Sequence, residues 1–140
     1  MTAFKFRSIA WLHLALAVLG AGAAFLPNGL SPELAAAFDH EPVPSLFGYE
    51  WALYAIALFF IALFLAGFVG LLMFKPWGRT LSLCMTVVLL LVYPLFGPTL
   101  MTGLESALLE AAALTWGAVL ALAYYSEVSV KFSESSSTGS

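Results

Sequence analysis

Ionisable side chains within apolar segments are the residues of this chain best suited to do chemistry. Glu110 is the most informative of them. It lies about six residues, or roughly 9 Å, inside the fourth apolar segment, where burying a carboxyl group is costly and is by default treated as functional. Ser106 precedes it by one helical turn and can donate a hydrogen bond to it. Two interpretations stay open: a carboxyl group that reaches water at the membrane surface, or a proton-coupled or cation-binding site.

His13, Pro94 and Pro98 are further candidates for a ligand or proton site. His13 is predicted about one turn into the first apolar segment, where its imidazole can change charge near neutral pH or simply bond to a neighbouring helix. Each proline removes a backbone donor, so the third apolar segment must kink, unwind or stop near them. This pattern is found in the broken helices of transporters and also in ordinary kinked spans.

Other patterns argue against a metal site, a cofactor or an enzyme. Asp39, His40 and Glu41 can each bind metal, but consecutive residues rarely converge on one ion, and no further cluster completes a site. The sequence has no paired carboxylates within one span, no histidine pair at metal spacing and no glycine-rich phosphate loop. A basic cluster typical of nucleic-acid binding is also missing. We therefore expect no metal, no cofactor, no catalytic residues and no nucleic-acid partner.

The elements that must position these residues are apolar helices. Of the 140 residues, 62% are hydrophobic and 9% are charged, whereas soluble domains carry about 25% charge. The stretch from Trp51 to Phe74 contains no charged residue and no proline. As a helix it would be roughly 36 Å long, enough to cross a bilayer core of about 30 Å. The fold class predicted is all-α, a polytopic membrane protein.

The predicted organisation is one transmembrane domain, residues 1–125, followed by a polar cytoplasmic tail, residues 126–140, that we expect to be disordered. A cleaved signal peptide within residues 1–23 is the alternative interpretation of the first apolar segment. The predicted spans are 9–26, 51–74, 80–98 and 104–125, with an outer loop at 28–50 that contains a short interfacial helix at 32–38.

The positions of the basic residues predict the orientation. With the amino terminus inside, all five basic residues fall on the inner side, and the outer loops carry only acidic ones. The five are Lys5, Arg7, Lys75, Arg79 and Lys131. We therefore predict four transmembrane helices in an antiparallel bundle with both termini in the cytoplasm. The bacterial cytoplasmic (inner) membrane is the commonest location for such a chain.

Small residues at helical spacing predict where helices pack. Lipid tails are as apolar as leucine, so close approach at small residues brings helices together in a membrane. The candidate packing residues are Ala62, Ala66 and Gly70 in the second span and Ala113, Gly117 and Ala121 in the fourth. The sequence leaves open whether these stripes face another helix of the same chain or another subunit.

The function predicted from these features is that of a small non-enzymatic membrane protein acting through helix–helix contacts. Its partners would be the lipid bilayer and other membrane subunits or a second copy of itself. The alternative is a small transporter or ligand-binding membrane protein that uses Glu110 near the kinked third helix. In span count the chain is similar to the small multidrug transporters, but that family carries a glutamate in its first helix and this chain has none there. No family is assigned.

Overall fold

The computed structural model describes residues 1–26, 31–39, 50–96 and 99–137, and these residues form helices and no strand. The prediction of an all-helical protein is confirmed. The helices are α1 (Ala3–Ala23), α2 (Pro32–Asp39), α3 (Glu50–Leu72), α4 (Pro76–Val92), α5 (Gly103–Tyr125) and α6 (Ser129–Ser137), with a 3₁₀ turn at Tyr93–Phe96.

Three helices are long and apolar enough to cross a bilayer: α1, α5 and the Tyr54–Leu72 part of α3. At this level the prediction of a helical membrane protein is confirmed. The fourth apolar helix, α4, is shorter, with 17 residues. It begins at Pro76 rather than residue 80, because a proline is well placed in the first turn of a helix, where its missing N–H costs nothing.

Local sequence explains where the helices begin and end. Thr102 and Glu105 form a capping box at the start of α5, in which each side chain accepts a hydrogen bond from the other residue's backbone N–H. At the end of α3, Phe74 adopts a positive φ of 56°, and the N–H of Lys75 donates to the carbonyl of Gly70. This turn reverses the chain between α3 and α4 within three residues.

The four longest helices form two antiparallel pairs, α1 with α5 and α3 with α4, which touch each other only over small areas. In the α3–α4 pair the backbones meet directly at two glycines: a Cβ on Gly78 would lie 2.4 Å from the carbonyl carbon of Gly70. One turn further on, a Cβ on Gly67 would lie 2.7 Å from the Ser82 hydroxyl oxygen. At Gly78 only glycine permits this approach, because a Cβ there would meet backbone atoms.

The α1–α5 pair is in contact well beyond the middle of both helices. Near the end of α1, a Cβ on Gly20 would lie 2.8 Å from Leu109 Cδ2. The α5 side chains that face the interior are Ala112, Trp116, Val119, Leu120 and Ala123.

Aromatic rings close one end of the two pairs. Phe6 of α1 and Phe132 of α6 are fully buried, and Phe74 between α3 and α4 is nearly so. The three ring centroids lie 5.4–6.1 Å apart in pairs. We call this cluster of three rings the phenylalanine knot.

The carboxyl-terminal segment, residues 126–140, contains a short helix within its described part, and residues 138–140 lie outside the described residues. Ser129–Ser137 forms α6, and Val128 and Phe132 are both fully buried. These two apolar residues are four positions apart, so they lie on the same side of a helix. The buried Phe132 ring, with Val128 beside it, attaches this mainly polar segment to the knot.

Candidate functional site

The sequence-predicted residue with the most contacts is His13, which lies in the middle of α1 rather than one turn from its start. The helix begins at Ala3, so its charged first turns are helical too, and His13 lies about 15 Å along it. Only 6% of His13 is exposed. Its Nδ1 is 2.8 Å from the carbonyl oxygen of Ala112 on α5.

This hydrogen bond fixes the tautomer of the neutral imidazole. A carbonyl oxygen only accepts, so Nδ1 must carry the proton and Nε2 must present a lone pair. Within the described part of the chain, Nε2 is buried and has no hydrogen-bond partner. His13 therefore offers a buried acceptor in the interior of the protein.

Two aromatic side chains pack on the imidazole. The ring centroid of His13 lies 4.7 Å from that of Trp116 on α5 and 5.9 Å from that of Phe64 on α3. Phe64 and Trp116 are themselves 5.1 Å apart. We call His13, Phe64 and Trp116, together with Thr86 described next, the midplane cluster.

A hydrogen-bond chain connects this cluster to α4. The indole N–H of Trp116 donates to Thr86 Oγ1 at 2.8 Å, and the Thr86 hydroxyl donates to the carbonyl of Ser82 at 2.8 Å. Thr86 is about 15 Å from the start of α4, and Trp116 is about 14 Å from the end of α5. The cluster thus joins both helix pairs near the middle of their length.

A cavity of about 200 Å³ lies beside the cluster. Residues of three helices line it: Phe64, Thr86, Leu89, Leu90, Tyr93 and Trp116. It is partly open at the side, where Leu90 and Tyr93 are largely exposed. His13 contacts two of the lining rings without lining the cavity itself.

The other candidates for a ligand or proton site lie elsewhere. Glu110 is exposed on α5 and accepts a hydrogen bond from Ser106 Oγ at 3.2 Å, as the sequence suggests. Pro94 is exposed in the 3₁₀ turn that follows α4. None of these three residues lines the cavity. Pro98 and His40 are outside the described residues.

The predicted packing residues divide into two groups. Gly70 is buried against Gly78, as described above. The remaining five are exposed in this chain: Ala62, Ala66, Ala113, Gly117 and Ala121. A Cβ added at Gly117 would meet nothing within 4 Å, so this stripe of α5 is not used for packing within the described part of the chain.

Two basic residues have contacts that the sequence does not predict. Arg7 Nε donates to the carbonyl of Leu72 at the end of α3, at 3.1 Å. Arg79 Nη1 donates to the carbonyl of Ala123 near the end of α5, at 3.3 Å, and its guanidinium lies 4.5 Å from the ring centre of Tyr124. Cations at helix carboxyl ends bond to the free carbonyls there and interact favourably with the negative end of the helix dipole. These two residues therefore also hold the helices together.

The chemistry available at the midplane cluster is hydrogen bonding and apolar binding. Among the described residues, no group of three or more histidine, cysteine, aspartate or glutamate side chains could hold a metal ion. The arrangement presents one imidazole lone pair, one threonine–tryptophan hydrogen bond and an apolar cavity. Searches against protein-family models, curated proteins and solved structures found nothing that matches this chain.

Proposed function

We propose that this chain is a small non-enzymatic integral membrane protein that acts through helix–helix contacts, either as an accessory, assembly or regulatory subunit of a membrane complex or as a homo-oligomer. The observation that carries the proposal is one surface of α5 that the described part of the chain leaves exposed. We call it the exposed α5 face, and its residues are Glu110, Ala113, Gly117 and Ala121.

These four residues lie on one side of the helix. At about 100° per residue, the spacing from Glu110 to Ala121 keeps all four within a stripe roughly 80° wide. A different side of α5, which includes Trp116 and Val119, packs in the interior of the protein. The exposed face is therefore available to a second helix.

The composition of this face favours a protein partner over lipid. Glycine and alanine let two helix backbones approach closely, and in a bilayer such packing drives association. Glu110 lies about 10 Å from the start of α5, at a depth where a carboxyl group exposed to hydrocarbon is costly, about 2.5–3.5 kcal/mol for an aspartate at the centre of a span. A partner helix that donates a hydrogen bond to Glu110 would reduce this cost.

The transporter alternative has weaker support. It requires Glu110 and the kinked region near Pro94 to line a common cavity, and neither residue is among those that line the cavity beside Trp116. If Glu110→Gln abolished proton- or cation-dependent flux in vesicles, this alternative would replace the proposal.

We further propose that α4 crosses the bilayer too, which makes four spans, and that both termini lie in the cytoplasm of a bacterial cell. Together, α4 and the 3₁₀ turn are roughly 33 Å long, close to the 30 Å of a bilayer core. Arg7 and Arg79 both lie at the end closed by the phenylalanine knot, in agreement with the positive-inside rule. A cysteine placed at Thr99 should react with an impermeant thiol reagent from outside, and one placed at Trp77 should not; the reverse pattern would invert the topology.

The association itself is tested with two glycine variants. Gly117→Leu should abolish recovery of the partner, or of a second, differently tagged copy, when the tagged chain is purified in mild detergent from its native membrane. Gly22→Leu is the matched control, because Gly22 of α1 is also exposed and a Cβ there meets nothing within 4 Å.

Two outcomes would contradict the proposal. One is a wild-type chain that purifies only as a monomer without any stoichiometric partner. The other is a partner that is retained equally by Gly117→Leu and Gly22→Leu, which would mean that the exposed α5 face is covered by lipid alone.

A further inference from the structure

The cavity beside the midplane cluster has a direction as well as a volume. Four of its six lining residues come from α4 and the turn after it, at Thr86, Leu89, Leu90 and Tyr93. This spacing of three and four residues places them along one face of the helix. The cavity therefore follows α4 for about 10 Å, parallel to the helices and so in the direction in which lipid chains lie in a bilayer.

The lining suits hydrocarbon and not water. The Thr86 hydroxyl already accepts from Trp116 and donates to the carbonyl of Ser82. Among the described residues that line the cavity, Tyr93 contributes the only other polar side chain, and the remaining lining side chains are Phe64, Leu89 and Leu90, beside Trp116. A buried water needs two to four polar partners, whereas an apolar cavity of about 150 Å³ stays dry and binds a molecule as large as benzene.

The position of the cavity indicates which kind of ligand it binds. Its inner end is near the middle of the membrane-length helices, and its outer end is at Tyr93, which is the residue that follows α4. Tyrosine is favoured where the hydrocarbon meets the headgroups. Leu90, at the partly open side of the cavity, is 70% exposed. With α4 crossing the bilayer as proposed above, this side would face the acyl chains.

We propose that this cavity is a lateral binding site for one acyl chain of a membrane phospholipid. The acyl chain enters between α4 and α5 and packs on Phe64 and the indole of Trp116. The headgroup of the phospholipid then lies beyond Tyr93. This site uses other residues than the exposed α5 face, so it does not depend on the association proposed above. It rests on the proposed passage of α4 through the bilayer.

The test uses the fluorescence of Trp116, which is only 8% exposed and yet lines the cavity. The chain contains four tryptophans, and replacing Trp11, Trp51 and Trp77 with phenylalanine leaves Trp116 as the only one. The single-tryptophan protein is reconstituted in phosphatidylcholine bilayers whose acyl chains carry bromine near their middle. Bromine quenches tryptophan fluorescence on contact. An acyl chain bound in the cavity should therefore clearly reduce Trp116 emission relative to unbrominated bilayers.

Two leucine variants separate a seated chain from surrounding lipid. Leu90→Phe should fill the mouth of the cavity and remove most of the quenching. Leu91→Phe, at a neighbouring position that is 72% exposed and does not line the cavity, should leave the quenching unchanged.

Two results would overturn the proposal: equal quenching in both variants, which indicates only ordinary surrounding lipid, or an unquenched Trp116 in the parent chain. The second result is measured on the parent chain alone, so the proposal can be refuted even if Leu90→Phe fails to fold.

Discussion

The two ends of the helix pairs differ in how closely they are held together. At the end that carries the basic residues, the phenylalanine knot joins α1, α6 and the α3–α4 turn, and Arg7 and Arg79 bond to the carboxyl ends of α3 and α5. Beyond the midplane cluster, most side chains of α3 and α4 are exposed, as at Leu58 and Leu91. The basic end is thus closed, and the far half of α3 and α4 is largely exposed within the described part of the chain.

This difference indicates where the stability and the binding capacity of the protein lie. Aromatic rings and guanidinium groups that contact several helices stabilise the packing of the basic end in water and in lipid alike. With α4 crossing the bilayer as proposed, side chains of the far half such as Leu90 and Leu91 would meet lipid that is as apolar as they are, so little would drive the helix pairs together there. An interface between the helix pairs that is closed at one end and open at the other can accept an apolar ligand from the side.

The largest expected effect follows from breaking the closed end. Phe132→Ala removes the ring that contacts both Phe6 and Phe74 and leaves a cavity in the knot. Large-to-small changes of a buried phenylalanine cost about 3–5 kcal/mol. We expect the unfolding free energy in mixed micelles to fall by about this amount. The substitution Val130→Ala, at a position of α6 that is 56% exposed, is the control and should have little effect.

A purely local outcome would contradict the closed-end interpretation. If Phe132→Ala made only residues 129–137 sensitive to protease and left the unfolding free energy unchanged, α6 would be an attached segment rather than a part of the knot.

The next largest effect concerns the direct backbone contact within the α3–α4 pair. Gly78→Ala places a Cβ 2.4–2.8 Å from backbone atoms of Gly70 and Leu71. Because backbone atoms cannot rotate away, the two helices must separate, and overpacking of this kind costs about 1–3 kcal/mol. Gly117→Ala, where a Cβ has open space, should cost nothing. Equal stability of the two variants in the same unfolding assay would show that α3 and α4 separate freely.

The sequence is sufficient to predict the helices but not which sides of them pack. A helix such as α3 is apolar all round, so its composition reveals a span and its length, while no periodicity separates the side that meets protein from the side that meets lipid. Small residues narrow the choice, and Gly70 does meet Gly78. Ala113 and Gly117 are equally small and are exposed.

The midplane cluster could not be predicted because its members come from four helices. His13 stands out in the sequence as an unusual residue, whereas Trp116, Thr86 and Phe64 are ordinary residues of apolar helices until the fold brings them together. Membrane orientation alone is enough to explain Arg79, which leaves no reason to expect its bond to Ala123. The packing of α6, in contrast, has a signal in the sequence, because Val128 and Phe132 are apolar residues at helical spacing within a polar segment.

The smallest expected effect tests the polar link between the two helix pairs at the boundary between the closed and open halves. Thr86→Val keeps the shape of the side chain and removes the hydroxyl that accepts from the indole N–H of Trp116. Hydrogen bonds between membrane helices average about 0.6 kcal/mol, and a donor left without a partner costs about 1–3 kcal/mol, so we expect a loss of about 1 kcal/mol. Thr80→Val is the matched control on the same helix, because the Thr80 hydroxyl bonds only to the carbonyl of Pro76 within α4. The indole N–H resonance of Trp116 should shift in Thr86→Val and stay in place in Thr80→Val. An unshifted resonance in both would mean that the Thr86–Trp116 hydrogen bond does not link the two pairs.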